Sequence, residues 1–234
     1  PWYRPTRVNH VVSGGDYGWR QGTDKWPAYF PDSLPSNADI GLGSPTAIAF
    51  GTESNFPEPY RQALFILDWA YGKIFAIHLT PEGVSYRGQA DEFVTGRPLN
   101  VTGMDFGPDG AMYFVTGGRH TKSGLYRVRY VGTTEASSLG QVLDQAGLDE
   151  AKRARALRRK LEQYHSQRSI EGVGLAWEHL GRDDLWIRHA ARVALENQPL
   201  ELWQLPALTE SDTKKALVAL MALARVGDAK VQSQ

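Results

Sequence analysis

Short apolar runs separated by turn residues occupy positions 1–132 of the chain. The runs are Val8–Val12, Ala47–Phe50, Ala63–Leu67, Ile74–Leu79, Val84–Val94, Val101–Phe106, Ala111–Thr116 and Leu125–Val131. Turn-forming sequences such as Pro81-Glu82-Gly83 and Pro108-Asp109-Gly110 stand between them. Runs of this length bounded by glycine and proline predict β-strands. The short connections favour antiparallel pairing, because parallel neighbours need a crossover of about a dozen residues or more.

The predicted strands form two similar sets. One set begins at residues 44–50 and continues through the runs at 63–67, 73–79 and 84–94, which makes four strands. The other set begins at residues 101–106 and has only three strands. A four-stranded unit that repeats about every 50 residues is typical of a β-propeller blade. The sequence therefore predicts an all-β part made of antiparallel four-stranded blades of an incomplete β-propeller, with the closing strand of the last blade supplied from outside this chain.

The pattern changes to helical periodicity after residue 132. Apolar residues recur at helical spacing in Asp149–His165, Asp184–Asn197 and Ser211–Val226, with Ser211 as the expected N-cap of the last helix and Gly227 as its end. Successive amphipathic helices with short loops are typical of helical repeats. We predict propeller blades over residues 1–132, a linker over 133–148, and an all-α, HEAT-like repeat segment over 149–234 that is free to contact another domain.

Charge and composition exclude several classes of protein. The 26 basic and 26 acidic side chains balance, whereas a nucleic-acid-binding domain normally has a basic surface. The absence of cysteine excludes disulfides, thiolate metal sites and a thiol nucleophile. No apolar run approaches the roughly 18 residues that a membrane span needs, and no signal peptide is recognisable. We therefore expect neither a nucleic-acid partner nor a membrane span.

Several segments resemble, in order and spacing, those of one known family. Residues 8–19 (VNHVVSGGDYGW), 44–46 (SPT), 72–81 (GKIFAIHLTP), 107–114 (GPDGAMYF) and 124–128 (GLYRV) are similar to segments of the glucose/sorbosone dehydrogenases, which include the soluble PQQ-dependent sugar dehydrogenases. Residues 1–10 and 116–128 further resemble a subgroup of large exported planctomycete proteins, in which such a propeller precedes a helical-repeat segment and a c-type haem domain. The resemblance spans residues 1–132 and implies that they are the C-terminal blades of a larger propeller.

The resemblance implies an exported, periplasmic oxidoreductase that acts on a sugar or a sugar alcohol. In that family the quinone PQQ, held by basic side chains and Ca²⁺, accepts hydride while a histidine takes the hydroxyl proton. The positions that match the family's cofactor-binding lysine and arginine pair carry Ala70, Asn100 and Thr102 here, and the blade with the catalytic histidine is not in this chain. The cofactor therefore stays unknown, and the implied partners are the missing blades or the rest of a larger chain.

Polar residues in the loops expected to line the propeller channel are the candidate groups for binding a substrate or cofactor. They are Arg4, Arg7, His10, Asp68, Tyr71, Arg97, Asn100, Thr102, Arg119 and His120. Arg97 or Arg119 suits bidentate binding of a carboxylate or phosphate, and Gly117-Gly118 lets the backbone approach a ligand closely. The simpler interpretation of each residue is a surface charge or a hydrogen bond that stabilises a loop.

Other chemistry-bearing residues favour structural roles. The aromatic residues form either a sugar-stacking platform or packing between blades; they are Trp2, Tyr3, Tyr17, Trp19, Trp26 and Tyr29. Asp105 and Asp109 fall far short of the roughly six to eight oxygens that Ca²⁺ requires, so no metal site is predicted and Asp109-Gly110 is interpreted as a turn. His78 lies on a predicted strand between apolar residues and is interpreted as structural. The helical histidines have no partner at metal-ligand spacing and are also interpreted as structural; they are His165, His179 and His189. No Ser/His/Asp arrangement is recognisable, which leaves the catalytic residues unknown.

Two functions from different classes fit these residues and motifs. The first is a part of an exported sugar or sugar-alcohol dehydrogenase, active only with blades that this chain lacks. The second is a non-catalytic module that binds carbohydrate or protein and is joined to a helical scaffold. The resemblance favours the first function, whereas the substituted cofactor positions Ala70, Asn100 and Thr102 favour the second.

Overall fold

The computed structural model describes residues 5–17, 30–118, 120–132 and 144–227. Their contacts divide the chain into two compact units. The sheet unit comprises Pro1–His10, Ser36–Pro81 and Tyr86–Asp144, and the helical unit comprises Val11–Pro35, Glu82–Ser85 and Gln145–Gln234. The segment boundaries at 132 and 148 stay predictions, since residues 133–143 lie outside the described part of the chain.

Nine strands form three antiparallel sheets within the described residues. A small ladder pairs β1 (Arg7–Val8) with β2 (Ala38–Asp39). A four-stranded sheet has the order β3 (Pro45–Phe50), β4 (Leu64–Asp68), β5 (Lys73–Glu82) and β6 (Ser85–Thr95). A three-stranded sheet has the order β7 (Val101–Phe106), β8 (Met112–Thr116) and β9 (Gly124–Val128). A single helical turn, α1 (Glu58–Arg61), lies between β3 and β4.

The two larger sheets share one hydrophobic core. Successive side chains of a strand point to opposite faces, so alternate residues of β4, such as Phe65 and Leu67, lie on the same face. They pack in one cluster with Met112 and Phe114 of β8. The other face of β4 is covered by Val8 and other residues of a smaller cluster. Because both faces are covered, every residue of β4 is buried, and its sequence is apolar as far as Leu67.

The predicted fold class is wrong, although most strands lie where the apolar runs placed them. The residues that the structure describes are mixed α/β, with three small sheets and six helices, and they contain no closed barrel and no propeller. A propeller requires about four blades or more around a channel. Here two larger sheets pack on one shared core instead. The strand predicted at Val8–Val12 stops after Val8, and Val11–Pro35 belongs to the helical unit.

Within the described residues the helical unit contains five α-helices, three of which begin at a side-chain cap. They are α2 (Gln145–Gln163), α3 (Ile170–His179), α4 (Leu185–Glu196), α5 (Gln204–Thr209) and α6 (Thr213–Val226). Ser169 caps α3 by accepting from the Gly172 N–H at 2.9 Å, and Asp184 caps α4 by accepting from the Trp186 N–H at 2.8 Å. None of the described helices is both long enough and apolar enough to cross a membrane.

The helix predictions were correct for α2, α4 and α6 but incomplete. The expected N-cap Ser211 is wrong, because the side chain of Asp212 accepts from the Lys215 N–H at 3.0 Å and α6 begins one residue later. Gly227 ends α6 as predicted. The sequence signal missed α3, which contains two glycines, and α5, which carries Pro206 in its first turn. Glycine weakens a helix, and proline is tolerated only near its start, so neither segment has a strong local pattern.

A helix at the centre of the unit, rather than a stack of repeats, organises the helical core. Helix α4 contacts α2, α3 and α6, and eight of its residues are buried. Val12, Leu34 and Val84 join the same hydrophobic cluster. In a HEAT-like solenoid each helix pair contacts only its neighbours in sequence. The predicted all-α, HEAT-like arrangement is therefore wrong as well, because segments distant in sequence close around α4.

The buried His189 should make the helical unit sensitive to acid. Burial, with the positive charge of Arg192 as a second cause, lowers the pKa of His189 to about 4, from 6.5 for an exposed histidine. Below about pH 6.5 the unfolded chain therefore binds a proton that the native state does not bind. The free energy of unfolding should fall by about 3 kcal/mol between about pH 7 and about pH 4 on account of this residue.

Urea denaturation followed by circular dichroism over this pH range tests the expectation. His189→Gln should give a flatter pH profile than the wild type, because glutamine has no proton to gain. His120→Gln is the control, since His120 is exposed in the sheet unit. Identical pH profiles for the wild type and His189→Gln would contradict the assignment.

Candidate functional site

Three connections of the sheet unit meet at one end of its two larger sheets. The β4–β5 turn, the β6–β7 connection and the β8–β9 connection are joined by hydrogen bonds that involve Trp69. Its indole Nε1–H donates to the Gly117 carbonyl at 2.9 Å, and its own carbonyl accepts from the Asn100 amide at 3.0 Å. The Gly96 N–H donates to the Gly72 carbonyl at 3.1 Å. We call this region the loop end; most of the predicted candidate residues lie in it.

Two of the candidates at the loop end, one buried and one exposed, stabilise the loops by hydrogen bonds with backbone groups. Asp68 is buried, and its Oδ1 accepts from the Ser44 N–H at 2.7 Å and from the Ala70 N–H at 3.0 Å. The Thr102 hydroxyl donates to the Val115 carbonyl at 3.3 Å. A carboxylate that accepts hydrogen bonds from two backbone N–H groups stabilises a turn. Asp68 therefore has the simpler role, stabilising a loop, rather than binding a ligand.

The other candidate residues divide between the surface and the undescribed part of the chain. Tyr71, Arg97 and His120 are exposed at the loop end, and His120 has a left-handed backbone with φ of 60°. Arg7 lies in β1, opposite Asp39 of β2, and the ring of His10 lies edge-on to Tyr86 at 5.6 Å. Arg4 and Arg119 lie outside the described residues, as do the aromatic residues Trp2, Tyr3, Trp19, Trp26 and Tyr29.

The loop end does not fit the quinone that the resemblance implies. PQQ carries three carboxylates, which require cationic partners for binding. The matching positions Ala70, Asn100 and Thr102 carry no charge. Their polar groups already donate hydrogen bonds within the protein: the Ala70 N–H to Asp68, the Asn100 amide to the Trp69 carbonyl and the Thr102 hydroxyl to the Val115 carbonyl. We therefore derive no chemistry through this cofactor.

The acidic residues near the β7–β8 turn also have structural roles. Asp109 accepts from the Ala111 N–H at 3.1 Å and from the Tyr113 hydroxyl at 2.9 Å, and it pairs with Arg127. These hydrogen bonds, that of Ala111 first, lower the pKa of Asp109. The turn predicted at Asp109-Gly110 is confirmed, since Gly110 has a φ of 71°. In the described parts of the chain, no group of three or more histidine or acidic side chains is placed to hold a metal ion.

A groove in the sheet unit, away from the candidates named so far, has the shape of a ligand site. It has a volume of about 510 Å³, and it is lined by Phe56, Pro57, Tyr60, Asp91, Glu92, Phe93, Val94, Val128, Arg129 and Tyr130. Strand β6 is the last strand of the four-stranded sheet and β9 the last of the three-stranded sheet. The groove therefore lies between residues of two sheet edges, and we call it the edge groove.

Aromatic rings fixed by the core form one wall of the edge groove. The rings of Phe56 and Phe93 lie 5.5 Å apart between centroids, and those of Tyr60 and Phe93 lie 5.2 Å apart. Phe56 is buried, while Tyr60 and Phe93 are half-buried and keep part of their surface in the groove. Such tilted contacts between rings stabilise their arrangement before any ligand arrives.

Polar groups border the aromatic wall. The Tyr60 hydroxyl donates to Asp91 Oδ2 at 3.0 Å. Burial raises the pKa of Tyr60, and the neighbouring Asp91 adds to the rise, so the hydroxyl keeps its proton at neutral pH. Glu92 pairs with Lys73, and the exposed Arg129 supplies a cation to the same groove. A donor, acceptors and a cation thus flank an apolar surface.

Sequence patterns did not point to the edge groove. Its residues come from the α1 segment, from β6 and from the end of β9, which are neighbours only after the two sheets pack. The one available signal was the run Asp91-Glu92-Phe93, in which two acidic residues precede an aromatic residue along a strand.

No family model, no curated protein and no solved structure matches this chain. The resemblance to the glucose/sorbosone dehydrogenases stays a prediction.

Proposed function

We propose that the sheet unit is a carbohydrate-binding module and that the edge groove holds the sugar. The observation that supports the proposal is the combination of exposed aromatic surface with Asp91, Glu92 and Arg129 in one groove. A pyranose ring has an apolar face of C–H groups and a rim of hydroxyls. It therefore needs an aromatic surface beneath it and mixed donors and acceptors around it.

The size of the edge groove supports a small saccharide as the ligand. Its volume of about 510 Å³ lies within the range of roughly 300–1,000 Å³ typical of small-molecule sites. Tyr130, which is 42% exposed, and the half-buried Tyr60 offer rings with a polar tip. Asp91 and Glu92 accept hydrogen bonds from sugar hydroxyls, and the Arg129 guanidinium donates them.

Three predictions rest on the resemblance alone: oxidation of a sugar or a sugar alcohol, binding of a quinone, and export from the cytoplasm. Adding PQQ with Ca²⁺ and an aldose to the full-length protein, and following reduction of an artificial electron acceptor, tests that activity separately. Binding at the edge groove needs no cofactor. The two expectations therefore fail or succeed independently.

Removing the exposed groove residues should weaken sugar binding without unfolding the sheet unit. We expect Tyr130→Ala and Arg129→Gln each to raise the dissociation constant about tenfold, because each loses roughly 1.4 kcal/mol of stacking or hydrogen bonding. Isothermal titration calorimetry with a panel of neutral mono- and oligosaccharides measures the constants.

Matched variants at the loop end serve as controls for this experiment. Tyr71 is 47% exposed and Arg97 is exposed, so Tyr71→Ala and Arg97→Gln remove the same chemistry from the other candidate region. The proposal expects them to bind like the wild type. Loss of binding in the loop-end variants alone would move the site there, and a wild type that binds no saccharide in the panel would reject the proposed function.

A further inference from the structure

The helical unit contains a serine hydroxyl bonded to a histidine ring, which the sequence did not reveal. Ser13 Oγ lies 2.8 Å from His165 Nδ1, although the two residues are 152 positions apart. Ser13 belongs to the turn in residues 12–15, and His165 follows the end of α2. Both segments are part of the same compact unit. The sequence offered no partner for His165 at metal-ligand spacing, and the fold brings Ser13 to it from a distant segment.

The second ring nitrogen of His165 determines the direction of this hydrogen bond. His165 Nε2 lies 3.0 Å from the Ala190 carbonyl, which can only accept, so Nε2 carries the hydrogen. Burial lowers the pKa of His165, which keeps the ring neutral at pH 7. In a neutral ring with hydrogen on Nε2, Nδ1 has a free lone pair. The Ser13 hydroxyl therefore donates to Nδ1, which is the arrangement of a nucleophile with its general base.

The backbone on both sides of the hydroxyl is held in place. The Ser13 N–H donates to Glu162 Oε1 at 3.3 Å, and the Ser13 carbonyl accepts from His189 Nε2 at 3.3 Å. The Gly15 N–H closes the turn on the Val12 carbonyl at 3.3 Å. These contacts fix where the hydroxyl points, so the hydroxyl and the imidazole are positioned before any substrate binds.

The hydroxyl remains open to solvent, and a backbone donor lies beside it. Ser13 and Gly14 are exposed. Gly14 has a φ of 74°, which favours glycine, and a side chain there would also press on Val193 at 3.1 Å. The Gly14 N–H makes no hydrogen bond to any residue that the structure describes. An N–H directly after a nucleophilic serine is a common donor to the oxyanion of an acyl-transfer intermediate.

We infer that Ser13 is a nucleophile and His165 its general base, and that the pair transfers the acyl group of a small, solvent-borne ester. Ser13 Oγ forms a bond to the carbonyl carbon while its proton passes to His165 Nδ1. The bond from carbon to the leaving alkoxide breaks, and the alkoxide takes the proton from Nδ1. Water then attacks the acyl-serine, His165 takes the proton of water, and that proton returns to Ser13 as the carboxylic acid leaves.

A fluorophosphonate probe tests the inference on the full chain. Ser13 Oγ should bond to phosphorus as fluoride leaves, and peptide mapping by mass spectrometry should place one label on Ser13. Ser13→Ala should abolish the label, and His165→Gln should slow labelling about 100-fold or more, as expected when a general base is lost. Ser166→Ala is the matched control and should react like the wild type, because Ser166 is exposed and bonds only weakly to the Gln163 carbonyl at 3.5 Å.

A pH profile of the wild type keeps the test independent of how the variants fold. The charged and titratable groups that face His165 are Glu162 from α2 and three residues of α4, namely His189, Arg192 and Glu196. The labelling rate should rise with pH as His165 loses its proton and then level off, with the midpoint below that of an exposed histidine. No labelling, a label on another residue, a pH-independent rate, or equal rates for the wild type and a folded His165→Gln would each overturn the inference.

Discussion

Replacing Arg192 with methionine is expected to destabilise the helical unit by about 3–5 kcal/mol. The Arg192 side chain is 2% exposed and forms ion pairs with both Asp32 and Glu196. Methionine retains most of the volume of the buried stem but removes the charge. The Glu196 side chain, only 10% exposed, would then remain buried with weaker compensation, and a buried charge without its partner is among the most costly defects in a protein.

Arg225 provides a matched control for this prediction. It bonds the same two carboxylates, Asp32 at 2.7 Å and Glu196 at 3.1 Å, but its side chain is 49% exposed. In Arg225→Met, water takes over most of the interactions that the guanidinium made with the two carboxylates. The free energy of unfolding of this variant should therefore fall by less than about 1 kcal/mol. Urea denaturation at neutral pH measures both values. Equal decreases in the free energy of unfolding for the two variants would show that the burial of Arg192 does not determine the loss of stability.

Truncating Trp203 to alanine should destabilise the same unit by about 3–5 kcal/mol. Trp203 is fully buried, and it packs in the hydrophobic cluster that surrounds α4. Alanine leaves a cavity that neighbouring residues fill only in part. It also removes the weak hydrogen bond, at 3.5 Å, from the indole to the Gln198 carbonyl.

Leu202 is the neighbouring control, since it is 41% exposed. Leu202→Ala removes apolar surface that already contacts water, and we expect a loss below about 1 kcal/mol. Chemical denaturation followed by circular dichroism compares the two variants. The interpretation fails if Trp203→Ala unfolds at the same urea concentration as the wild type.

Local structure could be predicted from the sequence wherever one segment decides its own conformation. The apolar run at Ala63–Leu67 became β4, and the Pro108-Asp109-Gly110 turn connects β7 to β8. Asp184 was expected at the start of a helix, and its carboxylate caps α4. In each case the pattern reflects hydrogen bonding and burial within a few residues, which packing at longer range does not change.

The candidate site was predicted less well, because a polar side chain in a loop does not reveal its partner. Asp68 and Asn100 were interpreted as groups that line a ligand site, and they instead hydrogen-bond to backbone groups of nearby residues. The edge groove was missed because Tyr60, Phe93 and Arg129 belong to segments that meet only after folding. These residues are not spaced at a helix or strand period, so no sequence pattern groups them.

The sequence by itself determined the positions of most strands and of three helices, and the positions 70, 100 and 102 where basic side chains are lacking. The tertiary structure decided how these elements are grouped. It places two sheets on one core and closes the helical unit around α4 with Val12 and the turn that carries Ser13. The physical reason is that strand and helix propensities act over a few residues. The choice between a propeller and these two units depends instead on how apolar faces that are distant in sequence pack together, and this packing also brings Ser13 to His165 across 152 positions.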